Sequence, residues 1–241
     1  MKIWAIGDPH LSFHEDVNKP MTVFGYGWEN HVERLCDAWN ACVAPEDVVI
    51  IPGDISWGLK LEEAMPDIEW IHRLPGTKLI SKGNHDLWWN RINYLNTLYD
   101  DVEFVQNEAY YIEGEDIAIC ATRGWPYPGS DEYSEHDEKI LNREMLRLEM
   151  GLESAREKSE TARIIAALHY PPTGSGGRPT VFTEILEKYG VWQCVYGHLH
   201  GPHAANGGPK GLFRGVEYNL VSMDYLGAKP RLLYDSEEDR R

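Results

Sequence analysis

The chain is short of cysteine, short of basic charge and has no long apolar run, and each shortage excludes a class of protein. Cys36, Cys42, Cys120 and Cys194 are its only cysteines. No two of them stand at the C-x-x-C spacing of a thiolate metal site or redox motif. They read as small buried thiols in a reducing compartment, with Cys36 and Cys42 on a predicted helix. No apolar run reaches the roughly 20 residues that span a bilayer. The N-terminus opens directly on a short strand-like run, without the basic and long apolar segments of a signal peptide. These features predict a cytoplasmic protein with no membrane partner. Lys and Arg number 23 against 39 Asp and Glu, for a formal charge of −16. Such a surface disfavours nucleic acid and anionic membrane. A small anionic substrate remains open, because a metal centre can supply positive charge locally.

What the chain does have is a repeated local pattern. Five apolar, strand-like runs each end in polar residues able to bind a metal. Residues 2–6 lead into Gly7-Asp8-Pro9-His10, and residues 48–51 into Pro52-Gly53-Asp54. Residues 77–80 lead into Lys82-Gly83-Asn84-His85-Asp86, where Gly83 lets the backbone turn sharply. Residues 164–168 lead into His169, and residues 192–196 into Gly197-His198-Leu199-His200. These ends are predicted to meet at one site. At 241 residues the chain can bury a full core. It reads as a single domain over residues 1–235 with a disordered acidic tail at 236–241.

Helical periodicity marks residues 29–43, 61–74, 87–98, 134–158 and 183–188. Pro66 either interrupts or starts the second of these. Further strands are predicted at 102–105, 110–112, 117–121, 217–223 and 231–234, with Gly114-Glu115-Asp116 as a hairpin turn. Residues 11–28 and 124–135 read as loops near the strand ends, where substrate would be chosen. Helices alternating with strands early, and antiparallel signals later, predict stacked sheets with helices outside. In such folds ligands gather at the carboxyl ends of the strands.

Singly, each polar element is weak: Asp-x-His and Gly-Asp pairs occur by chance. Together they give histidines, aspartates and an asparagine, each just past a strand. The donors are nitrogen and oxygen without thiolate, which suits Mn, Fe, Zn, Ni or Co. They are too many for one tetrahedral ion and suit two ions sharing a carboxylate. Two such ions about 3.5–4 Å apart can hold a phosphoryl group and a hydroxide in line.

The order Asp8-Pro9-His10, Gly53-Asp54, Gly83-Asn84-His85-Asp86, His169 and Gly197-His198-Leu199-His200 resembles the calcineurin-like metallophosphoesterases, over about residues 1–225. The resemblance implies a four-layer α/β/β/α sandwich and a phosphoesterase acting on a small soluble phosphorylated substrate, a monoester, diester or pyrophosphate. It implies one metal held by Asp8, His10, Asp54 and His200. A second would be held by Asp54, Asn84, His169 and His198, with Asp54 bridging. His85 would protonate the leaving oxygen or stabilise the phosphoryl charge, and the nucleophile would be a hydroxide on the metals.

One departure stands out. Many relatives carry a second Asp three residues after the Gly-Asp aspartate, which orients the catalytic histidine. Here that position is Trp57, and Asp86 follows Gly-Asn-His where protein serine/threonine phosphatases have Glu. Both argue against a phosphatase of that type. They leave His85 to be held by a backbone carbonyl or by another acid. Arg123 and Arg178 could grip phosphate, although a surface ion pair is the plainer role for each. A non-catalytic scaffold of the same fold is the alternative, but scaffold members lose site residues and this chain keeps them. A nuclease would want a basic groove, and none is visible.

Overall fold

The computed structural model describes residues 1–25, 27–130 and 132–239. Strand β1 (Lys2–Ala5) shows how the layers form. Successive side chains of a strand point to opposite faces. Ile3 and Ala5 therefore enter the core between two sheets, while Trp4 enters a second core under the helices. Strand β2 (Val48–Pro52) does the same, with Val48 and Ile50 on one side and Val49 and Ile51 on the other. Burial on both faces explains its unbroken apolar run.

The first sheet has the order β11-β1-β2-β3-β4, with β3 at Thr77–Ser81, β4 at Val102–Phe104 and β11 at Arg231–Asp235. All neighbours are parallel except β11 against β1. The second sheet runs β5-β6-β7-β8-β10-β9. Its strands are β5 (Tyr110–Ile112), β6 (Ile117–Thr122), β7 (Arg163–Leu168), β8 (Gln193–Tyr196), β9 (Gly211–Phe213) and β10 (Val216–Leu220). The edge strands β5 and β9 are antiparallel, and the four between are parallel.

Helices α1 (His31–Cys42) and α2 (Leu61–His72) cover the first sheet through Leu35, Trp39, Ile68 and Ile71. Helices α4 (Glu138–Lys158) and α5 (Val181–Lys188) cover the second through Leu148, Leu152, Phe182 and Leu186. The result is the helix–sheet–sheet–helix sandwich that the sequence predicts. Helix α2 starts at Leu61 and runs through Pro66. The hairpin between β5 and β6 turns at Glu113–Glu115, with Asp116 left-handed. No helix among the described residues is long and apolar enough to cross a membrane.

Two expectations need correction. Residues 87–98 do not form one helix; only α3 (Ile92–Leu95) is helical. Trp88 and Trp89 both pack on Phe104, at 6.2 and 5.3 Å between ring centroids, and adjacent helical residues could not face one ring together. After His200 a short helix, α6 (Gly201–Asn206), leads to β9, and neither element shows a sequence period. The tail begins with a helical turn, α7 (Ser236–Asp239), where Asp239 pairs with Arg163 at 2.8 Å; residues 240–241 lie outside the described residues.

The parallel strands bring their carboxyl ends to one edge of the sandwich. Backbone bonds join those ends, one between the two sheets (Gly7 to Val221) and one within each sheet. Gly7 N donates to Val221 O at 2.7 Å, Asp8 N to Gly53 O at 3.1 Å, and Gly197 N to His169 O at 3.2 Å.

Candidate metal centre

Each strand end turns in a way the site requires. Asp8, His10, Asp54 and His198 have left-handed backbones, with φ of 57°, 47°, 53° and 71°. Among the described residues only nine non-glycine positions do this, and four lie in this cluster. Such backbone costs about 1–3 kcal/mol per residue and persists where the surroundings enforce it, commonly at functional sites. Two glycines make the close approach possible. A Cβ on Gly83 would lie 2.1 Å from Asp54 Oδ1, and one on Gly197 would lie 2.5 Å from Asp8 Oδ2. The two carboxylates occupy the space those side chains would need.

Asp86 ties the loops together from beneath. Its buried carboxylate accepts from Gly83 N at 2.7 Å, from Asp54 N and Ile55 N at 2.9 Å, and from Trp88 Nε1 at 3.0 Å. It is a framework group rather than a donor to the centre.

Seven side chains converge above this framework in two groups. In the first, His10 Nε2 lies 3.4 Å from His200 Nε2 and 3.7 Å from Asp54 Oδ2. Donor atoms of Asp8, His10 and His200 lie within 4.8 Å of one another. In the second, Asn84 Oδ1 lies 2.6 Å from His169 Nε2 and 3.0 Å from His198 Nδ1, and these two ring nitrogens are 3.3 Å apart. Asp54 Oδ2 is 3.5 Å from His169 Nε2. The same carboxylate oxygen thus faces both groups.

The donor set suits cations. Burial pushes the His10 imidazole down to about 3, and burial with His198 close by holds His169 well below the ordinary imidazole range. Both rings are therefore neutral near pH 7, the form that ligates. Burial raises the Asp8 carboxyl to about 6; His200 opposes the rise and Asp54 adds to it. Facing ring nitrogens and clustered carboxylates in a dry site are costly alone and are stabilised by positive charge between them.

The rings are oriented from behind, as metal-binding histidines commonly are. His169 Nδ1 donates to Pro52 O at 3.1 Å. His200 Nδ1 donates to Asp224 Oδ1 at 2.8 Å, and Gly201 N donates to Asp224 Oδ2 at the same distance. Burial works to lower the His200 imidazole, but the Asp224 bond and the nearby Asp8 outweigh it, so its pKa is raised. Asp224 is a residue the sequence reading missed. It belongs to no motif, yet it too follows a strand of the second sheet, β10.

His85 sits beside the two groups, its backbone N–H on Asp54 Oδ1 at 2.8 Å. Neither the acid nor the carbonyl expected to hold its ring is found among the described residues. The Trp57 indole packs on it instead, with ring centroids 4.4 Å apart and the planes tilted by 51°. His10 is also in contact with Trp57, stacked on it at 4.9 Å and 20°. Trp57 Nε1 reaches Met21 Sδ at 3.2 Å. An aromatic ring in contact with both histidines therefore stands where many relatives have a carboxylate, and the histidine rings also meet each other at 5.6 Å. Burial lowers the His85 pKa.

Arg123 stacks on Trp125 at 4.2 Å and lies 3.5 Å from Glu144, so it has the ion-pair role. Arg178 is exposed, and neither arginine lines the cavities at the centre. Those cavities measure about 410 Å³ and 340 Å³, and both are lined by His198.

Comparison with known proteins agrees with this geometry. Among solved structures, a phosphopantetheinyl hydrolase from Mycobacterium tuberculosis superposes with a TM-score of 0.57 at 16% identity, covering 98% of this chain and 97% of that one. TT1561 of Thermus thermophilus gives 0.56 at 13% identity, over 96% and 97%. AQ665 of Aquifex aeolicus, a protein of unknown function, gives 0.51 at 16% identity, over 99% and 98%. At these identities the likeness shows the fold. A curated relative, the Gene 66 protein of Mycobacterium phage D29, is 30% identical over 109 residues, 39% of this chain. The matched segment spans about half of that relative, 52% of its length. Residues 1–202 match the family described as calcineurin-like phosphoesterase, and with the strand-end donors gathered at one edge of its sandwich, the chain belongs to that family.

Proposed function

We propose that the chain is a phosphoester hydrolase that works with two divalent cations on a small soluble substrate. The observation that carries this reading is the sharing of Asp54 Oδ2 between two groups of donors. Asp8, His10, Asp54 and His200 would hold one cation, and Asp54, Asn84, His169 and His198 the other. Mn, Fe, Zn, Ni and Co all suit this set. When bound, such cations supply an activated water and positive charge for the phosphoryl group.

The chain's own residues do the rest. Asp54 keeps both halves in register, because one carboxylate touches both. Asn84 contributes a neutral oxygen and so limits the negative charge there. His85, packed against Trp57, would serve the departing oxygen in one of two ways: its protonated ring would pass a proton there, and its neutral ring N–H would stabilise the phosphoryl charge. General acid catalysis of this kind is worth about 10²–10⁴-fold. Asp224 and the Pro52 carbonyl keep His200 and His169 turned inward. The acidic chain, with formal charge −16, supports a small substrate over a nucleic acid.

Hydrolysis of p-nitrophenyl phosphate and bis-p-nitrophenyl phosphate with added Mn²⁺ tests the proposal. Wild-type turnover that needs the metal and is abolished in Asp54→Ala supports it, and the preferred ester separates monoesterase from diesterase. Equal turnover by Asp54→Ala contradicts it. Absence of both turnover and bound metal favours the scaffold reading.

A further inference from the structure

The larger cavity at the centre is unusual in what surrounds the donors. Its floor and one wall are Met21, Trp28 and Trp57, of which Met21 and Trp28 are only 5% and 3% exposed. Phe24 forms the rim and is 64% exposed. His85 lines the same cavity. Among the described residues no lysine or arginine lines it; Lys19 stands over the Trp57 ring at 5.6 Å but outside the lining. Apart from the donor residues themselves, Asp224 is the only charged side chain lining it among the described residues, and that carboxylate is engaged by His200 and Gly201.

The chemistry of these walls selects a ligand. A second phosphate or a sugar would find no cation and few free hydrogen-bonding groups there. Moving its polar groups from water to such walls would be costly. An apolar group would gain from the same walls. A rim phenylalanine left exposed beside a dry floor is surface that such a group would cover. At about 410 Å³ the cavity falls in the range of small-molecule sites.

We propose that this cavity binds the leaving alcohol of the substrate, and that the alcohol is apolar, a hydrocarbon chain or planar ring directly beyond the ester oxygen. The placement rests on the proposed hydrolase reading, because it is His85, which serves the departing oxygen in that reading, that lines this cavity. Met21, Phe24 and Trp28, which belong to no recognisable motif, would then set specificity.

A series of n-alkyl phosphates from ethyl to hexyl tests this, as monoesters or as methyl diesters according to which the enzyme turns over. The leaving-group pKa is nearly constant along the series, so the slope reports binding of the chain. With the apolar walls, kcat/KM should rise about fourfold per methylene until the cavity fills. Glycerol phosphate should fall at least tenfold below the alkyl ester of similar size. Phe24→Ala should flatten the series, taking more from the long esters than from the short. A flat series, or preference for the glycerol ester, overturns the inference while leaving the hydrolase reading intact. If no ester is turned over, n-alkylphosphonates bound to the Zn²⁺-loaded protein are read through tryptophan fluorescence. Affinity that rises with chain length and is flattened by Phe24→Ala then supports the cavity's assignment without the hydrolysis. Affinity independent of chain length overturns it.

Discussion

Replacing Asp224 by alanine should weaken one half of the metal centre and spare the other. The carboxylate holds His200 by a 2.8 Å bond to Nδ1 and also holds the Gly201 N–H at 2.8 Å, so it fixes both the ring and the turn that carries it. Removing a group that orients a metal-binding histidine typically costs about 10–100-fold in metal affinity. That is about 1.4–2.8 kcal/mol. His169, in the other group, is oriented by the Pro52 carbonyl at 3.1 Å and should not change. Calorimetric titration of Mn²⁺ into metal-free protein at pH 8 should therefore show two binding steps in both proteins, with one step weakened about 10–100-fold in Asp224→Ala. The gap should narrow at pH 6. In the wild type Asp224 favours protonated His200, and the proton competes with metal more as pH falls. Both steps unchanged within threefold would refute the role of Asp224. Equal loss of both steps in a folded variant would refute the division into two groups.

Gly83→Ala should strip both ions, because its Cβ would meet Asp54 Oδ1 at 2.1 Å, whereas Gly197→Ala crowds only Asp8. Metal content after gel filtration distinguishes them; full retention by Gly83→Ala would be the contrary result. His85→Asn should keep both ions and lose about 10²–10⁴-fold in kcat. Loss of metal instead would make His85 a ligand. Burial raises the Asp67 carboxyl from 3.8 to about 6, where it meets Ser56 Oγ and Phe13 N. Protonated Asp67 is thus favoured by folding, so its stabilising effect is full below pH 4 and lost as pH rises through 6. Asp67→Asn mimics the protonated form. Its stability relative to wild type should improve by up to about 3 kcal/mol between pH 4 and 7. Urea unfolding at the two pH values checks this, and a constant difference would contradict it.

The strand-end pattern made most of the fold and the centre legible. An apolar run followed by glycine and a metal-binding residue is a local feature, and parallel strands carry each such end to one edge. Asp8, His10, Asp54, Asn84, His169, His198 and His200 are therefore neighbours in the structure although they span much of the chain. What could not be read was any partnership without a period or motif. Asp224 meets His200 from across a loop, and only its place after β10 hints at a role. Trp57 marked the absence of a carboxylate, but its stacking on His10 and tilted contact with His85 are tertiary contacts. Residues 87–98 misled for a related reason. Their aromatic spacing fits a helix, but Asp86 captures the Trp88 indole and the chain turns there.

The most direct test of the central claim is metal stoichiometry by elemental analysis after loading with Mn²⁺ and gel filtration. Two ions per chain are expected in the wild type and almost none in Asp54→Ala, since that one carboxylate serves both groups. A single ion in the wild type, or two ions retained by Asp54→Ala, would contradict a shared two-metal centre.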